Sequence, residues 1–375
     1  MRRFIIAPDS FKGTLSSKQI CEIIKDSICL HYPQAKISTV PVADGGEGSV
    51  DCFLSAVGGE LIKCESVNPL FEKMEGFYGL INHGKTAIIE MAACAGLLLI
   101  EDRKKPLAAT TYGVGLLVKD ALSKGAKEII LGLGGSATND FGCGFACALG
   151  VRFFDKNGND FVPTGGTLCD IERIDLAEVS SLVQKTKITI MCDVKNPVYG
   201  EYGAAKVYAP QKGATAEQVE LLDKGLRHVC EVVKRDLGKD VSDVVGGGAA
   251  GAMAGGVVAF FSASIGMGIE VVLDAVGFDE LLENADVVFT GEGKIDSQSL
   301  QGKVIQGVAK RAKQKNVPVI AVVGGVQGDI SAIYEQGVNS VFAINQLPED
   351  FSVSRNKSEE NLRKTVDNIL RILKI

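Results

Sequence analysis

Short apolar runs recur at both ends of this chain, and each is closed by a polar loop carrying glycine or an acid. Phe4–Ala7 predicts a strand, "PDSFKGTL" a loop, and a helix starts near Ser16. Ser16 and Gln19 have capping-box spacing, and Ile20, Ile23, Ile24 and Ile28 share one helical face. "KISTVPV" (36–42) predicts a second strand, followed by the loop "ADGGEG" and a helix from near Glu47. The far end has the same style. "ADVVFTGEG" and "VPVIAVVGG" are strands running into glycine loops, "SVFAI" is a further strand, and helices are expected over 302–314 and 359–373. Two strand–helix units at the start and three at the end make about five parallel strands with helices on both faces. That is a doubly wound α/β sheet built from both chain ends.

The middle of the chain has a different texture. "KTAIIEM", "KEIILGLGG", "VRFFDKNGNDFV" and "KITIMCDV" are strand-like, the third with a hairpin turn at Asn157-Gly158. A long helix over 215–237 carries Val219, Leu222, Leu226, Val229 and Val233 on one stripe. Thr215 and Gln218 cap it, and Gly238 stops it. A glycine- and alanine-rich helix is expected near 247–261. The expectation is therefore a discontinuous domain of residues 1–82 and 284–375, with an inserted α+β domain of residues 83–283.

Composition narrows the functional classes. The 375 residues are 46% hydrophobic and 23% charged, an ordinary globular balance. A net charge of −6 argues against a nucleic-acid surface, so an anionic ligand must be held by local lysines and backbone N–H groups. No C-x-x-C occurs among the ten cysteines, and Cys143 and Cys147 read as packing. Free thiols and a short N-terminal apolar piece point to the cytosol. The stretch 244–269 lacks charge, but its many glycines and acidic flanks suit a buried, closely packed helix better than a membrane span.

Open parallel sheets bind ligands beyond the carboxyl ends of their strands. Five apolar runs are followed there by an acid-bearing loop: Asp9–Gly13, Asp44–Gly48, Gly134–Asp140, Asp193–Asn196 and Gly291–Ser297. Acid caps of helices account for some singly, but together they suggest N–H groups for phosphate and carboxylates for a divalent metal. No G-x-x-x-x-G-K-[ST] occurs. Asp140-Phe141-Gly142 spells the metal triplet of protein kinases without the other kinase motifs, so it is a chance match. Gly246-x-Gly248-x-x-Gly251 imitates a dinucleotide fingerprint and keeps an NAD-dependent dehydrogenase of a small hydroxy acid open as an alternative. None of the three histidines sits in a glycine–acid loop, so any general base is a carboxylate.

Seven blocks, "APDSFKGTLSS", "PVADGGEGS", "GLGGSATND", "CDVKNP", "APQKGA", "GGGAAGAM" and "FTGEGKIDSQSLQGK", occur in the order and spacing of the bacterial type I glycerate kinases, which the chain resembles over nearly its whole length. The resemblance implies phosphorylation of D-glycerate by ATP with Mg²⁺. It also implies a flavodoxin-like domain plus an inserted one, with the site in the cleft between them. The 2-hydroxyl is favoured, the 3-hydroxyl stays open, and a non-catalytic small-anion sensor is the remaining alternative. This chain departs from the family at Phe141 and Cys143, which interrupt a glycine run, and at Ala252 and Ala254, where glycine is common.

Roles follow from chemistry. Gly134, Gly135, Ser136 and Asn139 are the candidates for the nucleotide phosphates. Asp44 and Asp193 are candidates for Mg²⁺ or the glycerate hydroxyl, or else a helix cap and a turn former. Asp296 is a candidate base or an N-cap. Lys12 is assigned to phosphate charge, the alternative being a surface lysine. Ser10, Lys12, Gly45, Gly46, Gly291, Gly293 and Lys294 form the substrate set. Lys212 is a further anion ligand or simply an exposed lysine. A monomer and a homodimer are both compatible with the sequence.

Overall fold

The computed structural model describes residues 2–42, 46, 48–296, 303–345, 347 and 349–374. Asp44 and Gly45 lie outside the described residues. The chain divides into two compact units: residues 1–43, 55–58 and 269–375, and residues 44–54 and 59–268.

The first unit is a five-stranded, all-parallel sheet in the order Val338–Ala343, Val319–Val323, Val287–Gly291, Arg3–Pro8, Lys36–Thr39. Numbered along the chain this is 2-1-3-4-5, the flavodoxin-like order. The central strands Val287–Gly291 and Val319–Val323 are buried at every position, as strands covered on both faces must be. Helices Ser17–His31 and Ser358–Ile372 cover one face, packing Ile20, Ile24, Leu362 and Val366 onto Phe4, Ile6 and Phe289. Helix Lys303–Gln314 lies against strands Arg3–Pro8, Val287–Gly291 and Val319–Val323. The predicted capping box is present: Ser16 Oγ accepts from Gln19 N–H, and Gln19 Oε1 accepts from Ser16 N–H.

The second unit holds a six-stranded sheet. Ser264–Gly266, Lys187–Met191, Glu128–Gly132 and Thr86–Glu90 run parallel. Lys73–Ile81 and Glu60–Val67 then add on as antiparallel strands. This moves the expected boundary at residue 82. Residues 60–81 hydrogen-bond into the second sheet, so the first unit's N-terminal piece stops near residue 43, apart from residues 55–58. The predicted hairpin forms at Asn157-Gly158, where Gly158 has φ +80°. The long helix Ala216–Leu237 has its capping box at Thr215 and its left-handed stop at Gly238.

The glycine–alanine segment is not the plain helix its composition predicts. Ala250, Gly251 and Ala252 have φ of +55°, +66° and +66°, so Ala249–Phe261 opens with a left-handed turn before it winds normally. Two contacts require its glycines. A Cβ on Gly251 would lie 2.0 Å from the Thr138 carbonyl oxygen, and one on Gly256 only 1.8 Å from that of Phe141. Phe141 is itself fully buried and packs edge-on against Phe260. Gly256→Ala is therefore expected to lower the stability of the second unit by about 3 kcal/mol, because backbone on both sides must move. Gly238→Ala, at a left-handed position that faces open space, is expected to cost only about 1 kcal/mol. Equal urea midpoints for the two variants would refute this packing.

Candidate active site

The candidate residues gather in two groups, one in each unit. In the first unit the sheet order reverses between Arg3–Pro8 and Val287–Gly291, and ligands of such sheets bind at this reversal. A cavity of about 560 Å³ opens there, lined by Ser10, Lys12, Gly293 and Lys294 together with Asp9 and Glu292. The loops that build it are locked together by main chain. Asp9 N–H donates to Gly291 O (2.8 Å), Gly324 N–H to Glu292 O (3.1 Å) and Ile295 N–H to Gly325 O (3.0 Å). Asp9 Oδ1 accepts from Ser10 N–H at 2.6 Å. Lys12 and Lys294 are exposed, with ammonium groups that can serve an anion. Gly291 does not line the cavity. It ends a buried strand, where a Cβ would come 2.0 Å from the Val322 carbonyl oxygen. Asp296 follows in the short strand Ile295–Asp296, paired with Val326–Gln327.

In the second unit three neighbouring parallel strands end side by side. Glu90 and Met191 are both register partners of Gly132, so the loops after residues 90, 132 and 191 leave one edge of the sheet. The Gly134–Ser136 turn stands on that edge, with Gly135 exposed at φ +72°. The half-buried Asp193 is beside it, its Oδ1 accepting from Gly268 N–H at 2.9 Å. Glu90 is the residue that sequence reasoning missed. It is 3% exposed, and its carboxylate accepts Val50 N–H (2.6 Å) and Gly48 N–H (3.2 Å). It thereby anchors the start of helix Ser49–Val57 and the end of the "ADGGEG" loop. Gly46 of the same loop accepts from Ser49 Oγ at 2.8 Å through its carbonyl oxygen. The acid closing "KTAIIE" was the available signal for Glu90, at a strand end like the others.

Several polar residues near the turn are interior. Asn139 is fully buried, with its side chain away from solvent. Asp140 is fully buried and accepts four hydrogen bonds: Thr111 N–H (2.8 Å), Thr111 Oγ1–H (2.8 Å), Gly142 N–H (3.1 Å) and Gly144 N–H (3.2 Å). Burial pushes its carboxyl pKa up, and these donors act against that. It joins the starts of helices Tyr112–Ser123 and Cys143–Ala148, so the D-F-G letters mark a structural acid. Lys212 is not a surface lysine: it is 2% exposed, and its Nζ donates to Thr138 O at 2.7 Å.

The dinucleotide imitation does not survive the geometry. Gly246, Gly248 and Gly251 are buried, and Gly248 is pressed so close to Pro197 that a Cβ would lie 2.2 Å from its carbonyl oxygen. These glycines pack against protein backbone and are not presented to a pyrophosphate. Among the described residues no helix is long and apolar enough to cross a membrane, and no cluster of three His, Cys, Asp or Glu could hold a metal alone.

Comparison with known proteins agrees with the two-unit architecture. The profile of the Glycerate kinase family matches residues 4–374. A glycerate kinase of Haemophilus influenzae is 43% identical over 99% of this chain and 98% of its own. The glycerate 2-kinase of Escherichia coli K12 is 40% identical over 98% of this chain and 95% of its own. The crystal structure of a protein put forward as glycerate kinase 2 from Salmonella typhimurium LT2 superposes with a TM-score of 0.89 at 39% identity. It covers 100% of this chain and 98% of the other.

Proposed function

The chain belongs to the glycerate kinase family, and from that premise we propose that it transfers the γ-phosphoryl group of ATP to the 2-hydroxyl of D-glycerate, giving 2-phosphoglycerate and ADP. The observation that supports the substrate site is the cavity at the strand-order reversal, which carries Lys12 and Lys294 on loops tied together by main chain. A glycerate carboxylate suits those two ammonium groups and the nearby N–H groups. Each charge-assisted hydrogen bond is worth about 1.5–3 kcal/mol.

The triphosphate is assigned to the Gly134–Ser136 turn, whose exposed glycine lets backbone approach phosphate closely. The donor set fits Mg²⁺. Asp193 is a half-buried oxygen ligand at the strand end beside that turn, and Mg²⁺ characteristically takes one or two carboxylates with phosphate oxygens completing its shell. Asp193 and Asp44 would hold the ion, which neutralises phosphate charge when bound. A carboxylate, with Asp296 the candidate, accepts the hydroxyl proton. Phosphoryl transfer asks mainly for alignment and charge neutralisation, the first worth about 7–11 kcal/mol and the second about 3 kcal/mol per donor. No covalent nucleophile is needed.

One incubation with D-glycerate, ATP and Mg²⁺, followed by proton-coupled ³¹P NMR, tests the reaction and the hydroxyl together. A phosphate on the 2-oxygen couples to one carbon-bound proton and gives a doublet; one on the 3-oxygen couples to a methylene and gives a triplet. A doublet with equimolar ADP is the expected result. A triplet moves the product to 3-phosphoglycerate, and binding without ADP release would make the protein an anion sensor.

A further inference from the structure

The Gly134–Ser136 turn is the outer edge of a segment that runs straight into the interior of the second unit. Residues 137–143 are all buried. Three side-chain atoms on this segment, Thr138 Oγ1 and both amide atoms of Asn139, are shut away from water with no hydrogen-bond partner. Buried polar groups are normally paired, and consecutive exceptions beside a ligand-facing turn mark a segment held in place for something other than stability. Two features do the holding. Gly251 of the left-handed turn packs directly on the Thr138 carbonyl. Lys212, from the short 3₁₀ turn Pro210–Lys212, reaches the same oxygen with its ammonium at 2.7 Å.

We propose that Lys212 is the positioning lysine of the phosphate-binding turn: it fixes the Thr138 carbonyl, and so the aim of the Gly134–Ser136 N–H groups, and sets a positive charge behind the oxyanion that lies on them. This rests on the assignment of the ATP phosphates to that turn. A charge inside the unit is screened far less by salt than the exposed Lys12 or Lys294, so it acts on a phosphate it does not touch.

Asp140 acts on Lys212 with opposite charge. Lys104 lies along Gly213 and donates its own Nζ to Gln211 O at 3.4 Å. Desolvation brings the Lys212 pKa down to about 7, with Asp140 opposing that shift. In the free protein the ammonium is therefore about half present near pH 7, gained as pH falls below that and lost as pH rises through it. A bound phosphoryl group favours the charged form and moves the loss to higher pH.

Wild type, Lys212→Met and Lys212→Arg should be compared from pH 6 to 9 with ATP–Mg²⁺ and D-glycerate. Methionine keeps most of the stem and removes the charge. The change also leaves the buried Thr138 carbonyl without its donor, a cost of about 1–3 kcal/mol, so a melting curve on each variant establishes that it is folded before its kinetics are read. Lys212→Met is expected to lower kcat/KM for ATP at least ~30-fold while KM for D-glycerate stays within about twofold. Wild-type kcat/KM for ATP should fall as pH rises past about 7. Lys212→Arg should recover at least about a tenth of the activity and lose that limb, because a guanidinium stays charged. Wild-type KM for ATP and an unchanged pH profile in Lys212→Met, or equal losses toward both substrates, would overturn the proposal. A wild type that releases no ADP defeats the kinase assignment alone. Lys212 is then judged by calorimetry with ADP, where ~30-fold weaker binding by Lys212→Met supports its role and equal binding ends it.

Discussion

Asp193→Asn is expected to lower kcat at least ~10²-fold, about 2.7 kcal/mol of transition-state stabilisation, while the protein stays folded. The two halves of this expectation come from different atoms. Asp193 Oδ1 accepts the Gly268 N–H, and an asparagine carbonyl oxygen accepts it equally well, so the loop after Lys187–Met191 keeps its anchor. The negative charge is what disappears. At the end of a strand registered with Gly132, beside the Gly134–Ser136 turn, that charge is where a phosphate-bound cation or a hydroxyl proton would be received. Steady-state turnover and a melting curve on the same preparation check both halves. Near-wild-type kcat would remove Asp193 from the mechanism, and a collapsed melting temperature would make its role structural.

The second large effect is on stability. Asp140→Ala is expected to destabilise the second unit by about 4 kcal/mol or more. The substitution strands four donors, from Thr111, Gly142 and Gly144, in an interior that water does not reach. Each unsatisfied buried group costs about 1–3 kcal/mol, and losing the burial cost of the carboxylate returns only part of that. Urea unfolding and limited proteolysis measure it. Asp140→Asn separates this role from catalysis. An acid that ligated metal would leave a stable, inactive protein when amidated, whereas this one should lose stability because the amide presents N–H groups to donors. A fully stable Asp140→Asn would contradict the hydrogen bonding described.

Much of the architecture is legible in local sequence. Ser16 with Gln19 and Thr215 with Gln218 form the capping boxes their spacing announces, and Asn157-Gly158 turns its hairpin, because each is decided by neighbours in the chain. The strands Glu60–Val67 and Lys73–Ile81 are hidden because Glu60–Val67 forms the sheet edge with half its positions exposed, so its apolar signal is diluted by Lys63, Glu65 and their neighbours. Alanines 250 and 252 suggest helix by intrinsic propensity, and tertiary packing overrides it. The strand-end loops supplied the candidate residues, yet the interior places of Lys212, Asn139 and Asp140 could not be read. Burial of a polar side chain depends on residues from three or four distant segments, which no short window contains.

The pairing of Arg3–Pro8 with Val287–Gly291 has a bearing on biosynthesis. The strand made first has no permanent neighbour on that side until some 280 residues later, on the order of tens of seconds at ordinary elongation speeds. Residues 59–268 can meanwhile complete their own sheet from contiguous chain. The strand Arg3–Pro8 must wait as a tethered apolar segment, and a circular permutant that places residues 1–43 after residue 375 would spare it the delay.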